Sequence, residues 1–159
     1  MVDWSGVYFK NVINAQAGWI GAGYFAFMCT MAMGRFTADW FAGKYGLKRT
    51  LQLSGTLTAA GLLTSVLLPY LVPSMIGFML VGAGVSSVVP MIYSSAGKTP
   101  NMSPGVALAA VSTIGFSGLL IGPAIIGFIA GLATLRASFL LIACMGMLVA
   151  IISTRAKLR

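Results

Sequence analysis

The sequence predicts an all-α membrane protein of several spanning helices, and three observations support this prediction. First, 58% of the residues are hydrophobic and 8% are charged, whereas soluble domains carry about 25% charged residues. Second, the apolar residues form runs of roughly 20, the length that a helix needs to cross a bilayer. Third, the basic residues lie at the ends of those runs, where orientation signals occur. We therefore expect a polytopic protein whose main surroundings are lipid.

The spans follow one another with short gaps. Residues 1–12 predict the end of a further helix that precedes the first complete span. The prolines of LPYLVPS (68–74) and the Gly, Pro, Asn and Ser of GKTPNMSPG (97–105) are typical of turns. We expect all 159 residues to form a single transmembrane helical domain. The five predicted spans are 17–38, 50–72, 74–97, 105–130 and 134–154.

The basic residues predict the orientation of the chain. Residues 34–49, GRFTADWFAGKYGLKR, hold five of the twelve charged residues. When successive loops are assigned to alternate sides, eight Lys and Arg residues fall on one side and two on the other. Cytoplasmic loops carry such an excess, so we expect the N-terminus outside and the C-terminus in the cytoplasm. A binder of nucleic acid or anionic lipid would rest on the net charge of +8 alone, and we expect no nucleic-acid partner.

Orientation explains the basic residues of this stretch but does not explain Asp39. Asp39 follows Arg35 by four residues, so the two can share one face of a helix. A carboxylate close to the hydrocarbon is costly unless it has a partner. We therefore expect Asp39 to pair with Arg35 or with the basic residues that follow it.

This stretch resembles the cytoplasmic loop signature of the major facilitator superfamily, approximately Gly-x-x-x-Asp-Arg-x-Gly-Arg-Arg. Gly43 stands where the signature has its acid. The matching residues are Lys44, Gly46, Lys48 and Arg49. The segments DWSGVY (3–8), GRFTAD (34–39), GAGVSSVVP (82–90) and GPAIIGF (122–128) resemble the C-terminal half of bacterial inner-membrane facilitators related to fucose permease, of the YbjJ type.

The resemblance implies that residues 1–12 end helix seven of a transporter and that the five spans are its helices eight to twelve. It implies secondary active transport of a small, sugar-like solute, coupled to protons, in the bacterial inner membrane. It also implies a truncated or partial chain whose partner is a missing N-terminal six-helix half. The expected gating loop comprises Arg35, Asp39, Lys44, Gly46, Lys48 and Arg49. A different possibility is a non-transporting structural or assembly subunit of a membrane complex.

Polar residues inside the spans are few, and most hydroxyls there bond to their own helix. Pro90 and Pro123 lie inside spans and predict kinks, because each removes a backbone hydrogen bond. The hydroxyls near Pro90 and at 112–117 fall on helices that face the central cavity in the resembled fold. Asp3 and Trp4 offer an acceptor and a stacking surface. The candidate cavity residues are Asp3, Trp4, Tyr24, Ser87, Tyr93, Ser112 and Ser117.

The sequence contains no constellation typical of an enzyme. It has no His, no Glu, no phosphate-binding loop and no pair of neighbouring acids. Cys29 and Cys144 lie far apart within apolar stretches, which is typical of packing residues. We expect no catalytic activity, no metal and no cofactor.

Overall fold

A computed structural model describes residues 2–98 and 102–155, without the side chains of Val2, Ala38, Asp39, Phe41 and Ala42. All regular structure in these residues is helical, which confirms the predicted all-α fold. The helices are α1 (Val2–Asn11), α2 (Ala22–Leu67), α3 (Leu71–Ser86), α4 (Val88–Gly97), α5 (Pro104–Leu132) and α6 (Leu135–Arg155), with a short 3-10 helix at Ala17–Trp19.

The longest helix, α2, folds back on itself. Gly46 has non-helical backbone angles, φ 76° and ψ 165°, inside α2. Gly34, before this point, contacts Ser86 at the end of α3. Ser54, after it, contacts Gly84 of the same turn, since a Cβ at Gly84 would lie 2.8 Å from the Ser54 carbonyl oxygen. In one continuous helix, residues 34 and 54 would lie about 30 Å apart, so the chain must reverse at Gly46.

This reversal makes α2 a hairpin of two antiparallel arms. We call residues 22–45 the first arm and residues 47–67 the second arm. The first arm includes most of the predicted span 17–38, and the second arm includes most of the predicted span 50–72. The connection between them is helical up to Gly46 and again after it, so the turn at the basic stretch is very short.

The predicted span 74–97 is divided into α3 and α4. The break lies at Ser87, whose backbone angles are φ −94° and ψ −14°. α3 packs between the two arms of α2, and small residues allow the close approach. A side chain at Gly61 would meet the backbone of Gly77, so these two helices touch through their backbones.

Four aromatic rings form the centre of the core. Tyr8 and Phe9 of α1 meet Phe78 of α3 and Phe139 of α6, and all four are almost fully buried. The rings of Tyr8 and Phe139 stack with their centroids 4.7 Å apart, while Phe9 and Phe78 meet edge to face at 5.5 Å. This cluster joins α1 to the rest of the bundle.

The helices have the length and composition of membrane spans. Within the described residues, four segments are long and apolar enough to cross a bilayer: Gly43–Leu67, Leu71–Gly97, Pro104–Leu132 and Leu135–Arg155. The fifth predicted span, 17–38, corresponds to the 3-10 helix Ala17–Trp19 followed by the first arm of α2 from Ala22 onward. The chain is therefore a polytopic helical membrane protein, as the sequence predicts.

Candidate solute site and basic hairpin

A hydrogen bond between two hydroxyl groups joins α4 to α5. The Tyr93 hydroxyl oxygen lies 3.0 Å from Ser112 Oγ, and both side chains are half-buried. One hydroxyl of the pair donates, so the other keeps its own O–H for a further acceptor. No Asp, Glu, Lys or Arg occurs anywhere in α4 or α5. The pair therefore offers uncharged hydrogen-bonding groups between two helices that carry no charged side chain.

Trp4 is engaged in the contact between α1 and α5. Its indole N–H donates to the Pro123 carbonyl oxygen at 3.3 Å. Its ring covers Gly127, where a Cβ would lie 2.8 Å from the indole Cζ2. Pro123 lies inside α5, and that helix runs without interruption from Pro104 to Leu132. The contact places Trp4 beside one of the two prolines that the sequence singles out.

The other candidate cavity residues lie separately. Asp3, Tyr24 and Ser117 are exposed, and the Ser117 hydroxyl donates to the Thr113 carbonyl of its own helix at 2.8 Å. Ser87 lies at the break between α3 and α4, three residues before Pro90. The structure thus joins Tyr93 to Ser112, whereas Asp3, Tyr24 and Ser117 have no described contact with that pair.

Ser87 lines a cavity of about 290 Å³ between the two arms of the α2 hairpin. Both arms of α2 and the end of α3 form its walls, and hydroxyl groups are prominent among its lining. The lining hydroxyls are those of Thr37, Thr50, Ser54, Ser86 and Ser87. Apart from Ser87, none of these is a predicted site residue. No spacing in the sequence predicts them as a group, because they come from three separate segments that meet only when the two arms and the end of α3 pack together.

The tip of the hairpin has a sharply turned backbone. Gly46 lies in a region of backbone angles that is essentially restricted to glycine. The Thr50 hydroxyl donates to the Gly46 carbonyl at 3.0 Å, which satisfies one backbone group at the turn. Lys48 is half-buried and Arg49 is exposed immediately after it. The turn therefore gathers the basic residues at one end of the bundle.

Lys44 lies against aromatic rings at this tip. Its Nζ is 4.7 Å from the centroid of the Trp40 ring and 5.7 Å from that of Tyr45. Such placement is an attractive cation–π interaction. The side chain of Asp39 lies outside the described residues, and Arg35 is exposed. The pairing of Asp39 with Arg35 or Lys44 therefore stays a prediction, and the aromatic rings are a contact of Lys44 that the sequence analysis did not identify.

The described residues also bear on metal binding. Within 2–98 and 102–155, no group of three or more His, Cys, Asp or Glu side chains is close enough to hold a metal ion. Cys29 and Cys144 are both free thiols, Cys29 half-buried and Cys144 exposed.

The sequence of the chain is similar to those of several known membrane proteins. The chain is 34% identical over 157 residues to an uncharacterized MFS-type transporter of Yersinia pestis, covering 99% of this chain and 40% of that protein. It is 36% identical over 152 residues to the membrane protein MosC of Rhizobium meliloti, covering 94% of this chain and 37% of MosC. It is 31% identical over 156 residues to an uncharacterized transporter, y4wD, of Sinorhizobium fredii, covering 98% of this chain and 41% of y4wD.

The chain thus spans about two fifths of the length of these relatives. No solved structure matches it. The characteristic sequence pattern of the Major Facilitator Superfamily matches residues 8–158. With its antiparallel helices of spanning length, its relatives among membrane transporters and this match over nearly its whole length, the chain belongs to the Major Facilitator Superfamily.

Proposed function

We propose that this chain is the C-terminal part of a secondary active transporter that moves a small neutral solute across the bacterial inner membrane, driven by a proton gradient. The observation that carries the proposal is the superfamily match over residues 8–158. The YbjJ-type, fucose permease-related subgroup is part of the proposal and is supported by the four resembling segments of the sequence.

The proposed class of solute follows from the Tyr93–Ser112 pair. Hydroxyl groups bind neutral polar groups such as sugar hydroxyls, whereas a charged solute in an apolar environment needs a compensating charge. No charged side chain is present in α4 or α5 to supply it. A half-buried tyrosine also presents a ring on which a sugar face can pack.

The exposed face of α5 supports a missing half as the partner. Only Ala107 and Ile126 of this helix are buried, and Phe116, Leu120 and Phe128 are all more than half exposed. A substrate site in transporters of this kind lies between two repeats near the middle of the membrane. We infer that helices matching the remaining length of the relatives pack against α5 and supply the opposite wall of the cavity.

α5 presents a face lined with glycine on which such helices can pack. Gly115, Gly118 and Gly122 have open space where a side chain would stand. Small residues of this spacing let two membrane helices approach closely. The same face could instead pack against other subunits of a larger membrane complex. In that alternative, this chain is a structural subunit without transport activity.

The experiment joins this chain to the part of the Yersinia pestis relative that it does not match, and measures uptake into inverted or right-side-out vesicles. A panel of labelled neutral sugars is offered with an imposed pH gradient. We expect uptake of at least one sugar above empty vesicles, abolished when a protonophore collapses the gradient. Uptake that needs ATP, or no uptake by a well-folded fusion, contradicts the proposal and favours the structural subunit.

Single substitutions test whether the Tyr93–Ser112 pair binds the solute. Tyr93→Phe and Ser112→Ala each remove one hydroxyl of the pair, and we expect each to lower uptake by about fivefold or more, the loss of one net hydrogen bond. Ser153→Ala is the control, because the Ser153 hydroxyl bonds to Val149 of its own helix at 2.7 Å. Equal uptake by all three variants would exclude the Tyr93–Ser112 pair as a solute site.

A further inference from the structure

A groove of about 360 Å³ runs along the outer face of the second arm of α2. It is lined by Tyr45, Arg49, Gln52, Leu53 and Thr56. From Arg49 onward these positions recur at helical spacing, so they share one face of the arm. Arg49, Leu53 and Thr56 are exposed. The groove therefore opens to the surroundings of the bundle, and Leu53 also borders the cavity between the two arms.

The groove is polar at one end and largely apolar at the other. Tyr45 and Arg49 stand beside Gly46, at the tip of the hairpin. Leu53 and Thr56 lie further along the arm, and Thr56 is about 10 Å beyond Arg49 at the rise of an α-helix. The Thr56 hydroxyl donates to backbone carbonyls of its own helix, at 3.0 Å to Gln52 and 3.0 Å to Leu53. The far end of the groove therefore presents mainly carbon atoms and a satisfied hydroxyl.

The depth of the groove in the membrane follows from the neighbouring aromatic rings. Lys44 lies over the rings of Trp40 and Tyr45, and Trp and Tyr side chains favour the level of the lipid headgroups. Arg49 follows Tyr45 across the turn at Gly46, and both residues line the groove. These rings favour headgroup level for the polar end of the groove, and the far end lies further along the candidate span Gly43–Leu67.

The charge around the polar end is strongly positive. Lys44, Lys48 and Arg49 lie within six consecutive residues. Asp39 is the one acid in this part of the sequence, and Asp3, on α1, is the other acid of the chain. A guanidinium group binds a phosphate group with two parallel hydrogen bonds, and the amide of Gln52 can donate a third. The groove is thus complementary in charge to a phosphate at one end and complementary in polarity to an acyl chain at the other.

We propose that this groove binds one anionic phospholipid, with its phosphate on Arg49 and Gln52 and an acyl chain along Leu53 and Thr56. The net charge of the chain alone is no argument for such a site. The groove itself is the argument, because Arg49 and Gln52 lie at its end near the hairpin tip and Leu53 and Thr56 lie further along the same face of the helix. This site goes beyond the proposed transport, since no step of solute movement uses it.

The experiment measures phosphatidylglycerol and phosphatidylcholine binding to the purified chain in mixed detergent micelles by native mass spectrometry. We expect preferential retention of phosphatidylglycerol. Arg49→Gln should weaken that binding about fivefold, the effect of one basic residue at an anionic membrane surface. Arg49→Lys should retain part of it. Arg155→Gln removes an exposed positive charge outside the groove and should leave binding near the wild-type value.

Two further experiments distinguish a phospholipid site from a site for free phosphate. Leu53→Ser keeps the phosphate end and should still weaken phosphatidylglycerol binding, whereas glycerol phosphate without acyl chains should not compete at equal concentration. If glycerol phosphate competes as well as the lipid, the site binds free phosphate and the lipid proposal is wrong. If both lipids bind equally, or if Arg49→Gln matches Arg155→Gln, the groove is not a site for anionic phospholipid.

Discussion

The hydroxyl of Tyr8 donates a hydrogen bond of 2.6 Å to the backbone carbonyl oxygen of Ser65. Ser65 lies in the last turn of α2, and the residue four positions later is Pro69. Proline has no N–H, so the helix itself cannot supply a donor to this carbonyl. Tyr8, 57 residues earlier in the chain, provides the donor and fixes α1 against the second arm.

Tyr8→Phe removes this donor while it keeps the buried ring. The Ser65 carbonyl is then left without a partner in the core, which costs about 1–3 kcal/mol. We expect a lower midpoint of thermal unfolding in detergent, followed by loss of the monodisperse peak in size-exclusion chromatography. Tyr70→Phe is the control, because Tyr70 is 68% exposed. An unchanged midpoint for Tyr8→Phe would show that the bond contributes nothing to stability.

The sequence predicts half of this relationship. Pro69 marks a break and implies an unpaired carbonyl in the preceding turn, which is readable from LPYLVPS alone. The identity of the donor is not readable, because Tyr8 is distant in sequence and reaches Ser65 only through the tertiary packing of α1. Apolar runs predict that helices exist, while contacts between helices depend on their rotation and depth.

Gly46 is the second position where a local feature controls the fold. Its φ of 76° with ψ of 165° is available to glycine at little cost, and for other residues costs about 1–3 kcal/mol. We expect Gly46→Ala to destabilise the hairpin by that amount, measured as a lower unfolding midpoint. Gly43→Ala is the matched control, because Gly43 is in helical conformation with open space around it. Equal midpoints for the two variants would contradict the turn described at Gly46.

In the candidate site, too, the sequence predicts which residues are involved but not which partners they contact. Hydroxyls near Pro90 and at 112–117 are predicted as a group, and Tyr93 and Ser112 of that group are in contact. Ser117 instead bonds to its own helix. Whether a hydroxyl bonds to its own helix or to a neighbour depends on the register between helices, which the sequence does not reveal. The contact of Lys44 with Trp40 was available from the four-residue spacing.

The orientation of the chain can be tested with single cysteines after Cys29 and Cys144 are replaced. Tyr70 lies in the exposed connection between α2 and α3, and Lys98 is exposed at the end of α4. The excess of basic residues predicts that a membrane-impermeant maleimide labels Tyr70→Cys from outside and Lys98→Cys only from the cytoplasm. Ser74→Cys is the control for specificity, because Ser74 is fully buried. The reverse labelling pattern would overturn the predicted orientation.

The remaining prediction concerns Asp39 as a partner of the basic hairpin. If its carboxylate pairs with Arg35 or Lys44, the pair lies within the first arm and holds the tip of that arm in one arrangement, and removing the charge releases it. Lys44 also contacts Trp40 and Tyr45, so its position is maintained in part without Asp39. An exposed ion pair contributes up to ~1 kcal/mol. We therefore expect a two- to fivefold effect on the equilibrium between conformations, not a complete loss.

Ser87→Cys reports on this equilibrium, because Ser87 lines the cavity between the two arms. The rate of its modification by a small maleimide is measured from each side of the membrane, in the fusion that restores the remaining helices. Asp39→Asn and Lys44→Glu should each change that rate two- to fivefold in the same direction, because both weaken the same pair. Lys98→Gln, which removes an exposed charge at the end of α4, should leave it unchanged. If Asp39→Asn leaves the rate of Ser87→Cys modification unchanged while Lys44→Glu alters it, Lys44 acts through its contacts with the aromatic rings. Asp39 is then not part of an ion pair that controls the conformational equilibrium.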